Sequence, residues 1–127
     1  MRRFGLIGFP LGHSFSKRYF SEKILFENIR DCSYDNFPLS DISLLTDLIS
    51  ENDLEGLNVT IPYKSSVMRF LDRIDHEAEE VGAVNVIRIE KYGGKSVLSG
   101  FNIDITGIMD TMIPVMSPAI SVAIVLG

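Results

Sequence analysis

Short apolar runs alternate along this chain with stretches in which large apolar side chains recur every three or four positions. Residues 4–9, "FGLIGF", are apolar and closed by Pro10 and Gly12, the pattern of a buried strand that ends in a loop. Tyr19, Phe20, Ile24 and Phe26 then recur at helical spacing over residues 16–29, with Ser14 or Ser16 able to cap the first turn. A second strand is expected over 32–39, followed by a helix over 40–49 with Ile42, Leu45, Leu48 and Ile49 on one face. "GLNVTIPYK", residues 56–64, starts as a third strand and ends in Thr60, Pro62 and Lys64. Val67, Phe70, Leu71 and Ile74 predict a helix over 65–74. "AVNVIRIE" and "SVLSGFN" flank Tyr92-Gly93-Gly94-Lys95 and predict a hairpin. The alternation predicts an α/β fold: a mixed, largely parallel sheet with helices on both faces.

The end of the chain follows a different rhythm. A helix carrying Ile105, Ile108, Met109 and Met112 is expected from Asp104 until Pro114 interrupts it, and Ser117-Pro118 is a break. "AISVAIVLG" then reads as a β-branched strand that stops on Gly127. Such a strand resembles the opening of a nucleotide-binding βαβ unit whose glycine-rich turn would come next. The expected organisation is a domain over 1–103, a connecting helix and break over 104–118, and a first strand of a second domain over 119–127.

Composition narrows the function. With 127 residues and 46% hydrophobic content there is material for one domain with a core. A net charge of −5 and a pI near 4.9 argue against nucleic acid and membrane as partners held by bulk electrostatics, and favour a small ligand. Cys32 is the only cysteine, which excludes an intrachain disulfide and a cysteine-based metal cluster, and no metal site is expected. The apolar run at the amino end breaks at Pro10, too short for a signal-peptide core or a membrane span, so the cytoplasm is the expected compartment.

In an open α/β sheet, ligands collect beyond the carboxyl ends of the strands. The residues there are polar: Ser14 and Ser16 after the first strand, Asn58, Thr60 and Lys64 at the third, Asn85 at the fourth, Asn102 and Asp104 at the fifth. Each has two readings. Ser14 and Ser16 are helix caps, or two hydroxyls at a helix N-terminus that take a carboxylate. Asn58 and Asn85 satisfy backbone groups at turns, or contact a ligand. Lys64 is a solvated surface lysine, or an amine held at a helix start for proton-transfer chemistry. Asp104 caps the next helix, or orients Lys64; the pair is an ion pair or a catalytic dyad. His13 reads as a loop or core histidine.

Taken together, "GFPLGHSFS", "GLNVTIPYK", "VGAVNV" and "GFNID", in this order and at these distances, resemble the shikimate dehydrogenase family. The resemblance covers residues 4–110, the substrate domain of that family, and the final "AIVLG" resembles the first strand of its NADP-binding Rossmann domain. It implies reversible reduction of 3-dehydroshikimate to shikimate with NADPH, in aromatic amino acid biosynthesis. By the same resemblance Ser14 and Ser16 bind the substrate carboxylate, Thr60, Asn85 and Asp104 hold ring hydroxyls, and Lys64 with Asp104 is catalytic; Asn58, from its place at the end of the third strand, is expected to bind substrate as well. Two positions depart from the family's pattern: Ile103 stands where threonine is frequent between the asparagine and the aspartate, and Val86 where threonine is frequent after Asn85. The NADP site is expected to lie outside this chain, which alone should be inactive. Its expected partners are shikimate or 3-dehydroshikimate and a second copy, in a homodimer or larger assembly held through the apolar strand at 119–127. The competing readings are a stand-alone module that binds a shikimate-like molecule, and a dehydrogenase that also takes quinate.

Overall fold

The computed structural model describes residues 1–12 and 14–124. One six-stranded sheet forms its frame: β1 (Arg2–Gly8), β2 (Cys32–Pro38), β3 (Leu54–Val59), β4 (Arg73–Ile74), β5 (Val86–Tyr92) and β6 (Lys95–Phe101), in the order β2-β1-β3-β5-β6-β4. Strand β1 pairs in parallel with β2 and β3, β5 pairs antiparallel with β3 and β6, and β4 is parallel to β6. Only β5 therefore runs against the others, as the hairpin at Gly93 and Gly94 requires. Both glycines adopt positive φ (56° and 82°), the backbone region in which a side chain is strained.

Among the described residues four α-helices complete the fold: α1 (Phe15–Phe26), α2 (Leu45–Glu51), α3 (His76–Val81) and α4 (Asp104–Met112). Side chains alternate between faces along a strand, so Tyr34 and Phe37 of β2 point to opposite sides. Phe37 packs with Ile7, Leu57, Val59 and Ile87 against Leu45 and Ile49 of α2 and Ala78 of α3, which makes the main core. On the Tyr34 side, Phe20 of α1 stacks on the tyrosine ring at 4.5 Å between centroids. Helices thus lie on both faces, as the sequence predicts. The second face is less filled: a cavity of about 500 Å³ opens there, lined by Phe4, Phe20, Val86 and Phe101 among others.

The structure differs from the sequence reading in three places. Residues 65–74 form a short 3₁₀ helix (Ser66–Phe70) and then the edge strand β4, instead of one α-helix. Strand β6 would otherwise expose a row of backbone groups; the Asp72 and Asp75 amides donate to its Leu98 and Gly100 carbonyls, and the Asp72 carboxylate accepts from the Leu98 amide. Helix α3 follows, unanticipated although its signals are present. Asp75 caps it by accepting from the Glu77 amide, and Gly82 ends it at φ 70°. Lastly, residues 119–124 form no strand: among the described residues no sheet edge pairs with them, and a strand needs a ladder partner. The rest of that expected strand, Val125, Leu126 and Gly127, lies outside the described residues, as does His13.

Candidate functional site

The carboxyl ends of β1, β3 and β6 share one edge of the sheet with the start of β5, because β5 alone is reversed. Asn85 is therefore at this edge by preceding its strand, where the sequence reading has it among residues that end strands.

The loop after β1 and the loop after β3 run side by side, joined where the Phe9 amide donates to the Ile61 carbonyl (3.1 Å) and the Thr60 amide to the Ile7 carbonyl (2.9 Å). Between them and the N-terminus of α1 lies a cavity of about 620 Å³ lined by Ser14, Ser16 and Thr60 together with Leu6, Phe9 and Leu11. Ser14 occupies the N-cap position of α1, yet its hydroxyl caps nothing; the oxygen is buried and has no partner among the described residues. The first turn of α1 carries no acidic side chain. A helix N-terminus with unused amides, two hydroxyls and no carboxylate of its own is arranged for an anion.

On the other side of β3, Lys64 and Asp104 meet. The ammonium donates to the carboxylate at 2.6 Å, with side chains 35% and 51% exposed. Lys64 lies in the turn after β3, ahead of the 3₁₀ helix, and Asp104 in the first turn of α4. The segment 83–85 holds them in register. The Val84 amide donates to the Lys64 carbonyl (2.7 Å), the Val59 amide to the Asn85 carbonyl (2.8 Å), and the Ile103 amide to Asn85 Oδ1 (2.9 Å). Asn102, which the sequence reading places at this edge without a role, completes the clasp. Its Nδ2 donates to the Ala83 carbonyl (2.9 Å), and its Oδ1 accepts from the amides of Asp104 (3.0 Å) and Ile105 (3.3 Å), so that Asn102 caps α4. Asn85 and Asn102 are both 7% exposed.

Asn58 faces the Tyr34 side of the sheet, where its Oδ1 accepts from the Tyr34 hydroxyl at 2.8 Å. Tyr34 is the functional candidate the sequence reading missed; its only signal is a tyrosine within a predicted strand. Burial pushes its phenol up to about 12, partly offset by the Ser16 hydroxyl beside it. The two departures sit outside this polar network as side chains. Val86 is half-buried on the sheet face with Phe101, and Ile103 is exposed beside α4, contributing its amide rather than its side chain.

So the structure brings Ser14, Ser16 and Thr60 to one cavity and Lys64, Asp104 and Asn85 to one clasp. The backbone from Thr60 to Lys64 links the two, turned by the Tyr63 amide donating to the Thr60 carbonyl (3.0 Å). Among the described residues no group of three or more His, Cys, Asp or Glu could hold a metal, and no helix is long and apolar enough to cross a membrane.

Comparison with known proteins places the chain in a family. The family model described as "Shikimate dehydrogenase substrate binding domain" matches residues 6–87. The shikimate dehydrogenase (NADP(+)) of Shouchella clausii is 36% identical over 118 residues, 91% of this chain and 41% of that protein. Among solved structures, shikimate dehydrogenase 1 from Peptoclostridium difficile aligns with a TM-score of 0.76 at 38% identity, over 91% of this chain and 41% of its own. Shikimate 5-dehydrogenase from Thermus thermophilus, solved in complex with shikimate, aligns with a TM-score of 0.74 at 28% identity, over 90% of this chain and 42% of its own. The chain spans about two fifths of the length of the curated relatives it matches. With the family model covering the strands that build both the serine cavity and the Lys64 turn, the chain belongs to the shikimate dehydrogenase substrate-binding domain family.

Proposed function

We propose that this chain binds shikimate and 3-dehydroshikimate as the substrate-binding part of an NADP-dependent shikimate dehydrogenase. The observation that carries the reading is the buried Ser14 hydroxyl at the N-terminus of α1, without a partner among the described residues, in a cavity whose Thr60 is joined to Lys64 of the Lys64–Asp104 pair by one turn of chain. Ser14 and Ser16 hold the ligand carboxylate, where amides and hydroxyls donate to it. Thr60, Asn58, Asn85 and Asp104 take the ring hydroxyls. The Asn85 carboxamide oxygen is committed to the Ile103 amide, so only its NH₂ remains to donate to the ligand. Lys64 faces the reacting oxygen, where its ammonium stabilises negative charge on the ketone or supplies a proton, and Asp104 holds that ammonium in place.

The hydride of such a reaction comes from NADPH, and the described residues do not fit that cofactor. A pyrophosphate cradle needs a strand, a glycine-rich turn and a helix N-terminus free for phosphate. The loop of this kind that the described residues show, between β1 and α1, presents Phe15 and the two serines instead. The role of this chain is accordingly to bind and orient the substrate, in a soluble cytoplasmic setting and as an assembly of more than one copy.

Titration of the chain with shikimate, followed by amide NMR or calorimetry, tests the reading. Saturable binding is expected, with the methyl ester of shikimate and the Ser14→Ala variant each at least roughly tenfold weaker, as for loss of a charge-assisted hydrogen bond. Lys64→Ala should change affinity much less. Absence of saturation, or equal binding of acid and ester, overturns the assignment of the serine cavity.

A further inference from the structure

We infer that Tyr34 is a positioning residue of the substrate site, fixing the Asn58 carboxamide and the serine-bearing face of α1 relative to each other. The inference rests on the substrate reading above and adds a residue that makes no ligand contact itself. Tyr34 lies on the outer strand β2 and is 7% exposed. It pairs with Phe4 of β1, while Asn58 of β3 pairs with Leu6 of the same strand. All four side chains lie on one face, so the phenol reaches across β1, and its hydroxyl meets Asn58 Oδ1 at 2.8 Å. On the opposite side, the ring is covered by Phe20, whose ring lies 4.5 Å away at an interplanar angle of 24°. Ser16 precedes Phe20 by one helical turn, so the face of α1 that rests on the tyrosine ring is also the face that carries Ser16.

One side chain therefore joins α1, β2 and β3, the elements that carry Ser16 and Asn58. The bond also sets which way the Asn58 carboxamide points. With the oxygen held by the phenol, the NH₂ is left to donate, which matches an acceptor such as a ring hydroxyl oxygen. Without the phenol the carboxamide is free to turn, and the direction in which its NH₂ donates is no longer fixed.

Tyr34→Phe keeps the stack on Phe20 and removes only the hydroxyl. Three measurements on the chain test it: shikimate affinity, the side-chain NH₂ signals of Asn58 in the ligand-free protein, and the melting temperature. The expected result is affinity lowered roughly tenfold at a temperature where both proteins are fully folded, with the Asn58 signals shifted. In an Asn58→Ala background the same change should cost much less, because most of the hydroxyl's effect acts through that carboxamide. A Tyr34→Phe chain of parental affinity with unmoved Asn58 signals overturns the inference while leaving the substrate reading intact, and so does full additivity with Asn58→Ala. If the parent itself binds no shikimate, the substrate reading falls, and the Asn58 signals alone then decide: unmoved signals overturn the tie, shifted signals support it.

Discussion

Lys64 and Asp104 form a short ion pair that is open to water, and exposed pairs of this kind contribute only about 0–1 kcal/mol to folding. Stability gives little reason for a clasp of Asn85, Asn102 and the 83–85 backbone to hold them at 2.6 Å, which is why we read the pair as chemistry. Tyr34 is the opposite case, a buried group whose titration is expected to act on folding. Its phenol titrates from an ordinary value of 10.0 in the unfolded chain to about 12 in the folded one, because burial penalises the phenolate. Below pH 10 both states keep the proton, and the full stability is present. Between pH 10 and 12 the unfolded chain releases it and the folded chain does not, so stability falls with pH across that window. Urea midpoints at pH 9.5 and 11.5 should drop further for the parent than for Tyr34→Phe; equal drops would place the phenol in an ordinary environment. The sequence made the residues that carry local signals legible, such as serines before a helix and an asparagine or aspartate at a strand end. It hid Tyr34 because its hydrogen-bond partner Asn58 is 24 positions away and meets it only across a neighbouring strand.

Among elements, the β1 and β3 loops approach so closely that Gly8 has no room for a side chain. A Cβ there would lie 2.5 Å from Thr60 Cγ2 and 2.9 Å from both the Ile61 carbonyl oxygen and Leu11 Cδ2. Gly8→Ala should push the loops apart, costing about 1–3 kcal/mol of stability and weakening shikimate binding, since Thr60 and the serines face the same cavity. Gly12→Ala, at a position with nothing within 4 Å of the added Cβ, is the control for stability and should melt like the parent, although Gly12 lines the same cavity and so is no control for binding. Thermal melts of the two variants and a shikimate titration of Gly8→Ala against the parent check this, and equal melting would show that the loops yield without cost. The first five predicted elements were legible because their apolar periods agree with their final partners. The stretch 65–74 misled because Val67, Phe70, Leu71 and Ile74 keep helical spacing while the open edge of β6 offers backbone hydrogen bonds that a helix would leave unmade. Helix α3 is six residues long, too short for a period to show, and only its cap residues announce it.

For the whole molecule, the decisive contrast is between a packed sheet and an unpacked end. The main core draws on β1, β3, β5 and the two short helices, whereas α4 buries no residue and every described residue from 106 to 124 is exposed. That end is apolar: Ile113, Val115, Met116, Ile120, Val122 and Ile124 are all more than half exposed. Apolar surface of this kind favours association in water, and here it adds nothing to the fold that bears it. Two consequences separate cleanly. A chain ending at residue 112 should melt within about 2 °C of the full one, because a 1 kcal/mol change would move the midpoint of a domain this size by several degrees. The full chain should self-associate with rising concentration in sedimentation experiments, and the shortened chain should do so much less. A full chain that stays monomeric throughout would remove the basis for assembly through this segment, and a shortened chain that melts far lower would mean that the sheet depends on contacts beyond α4.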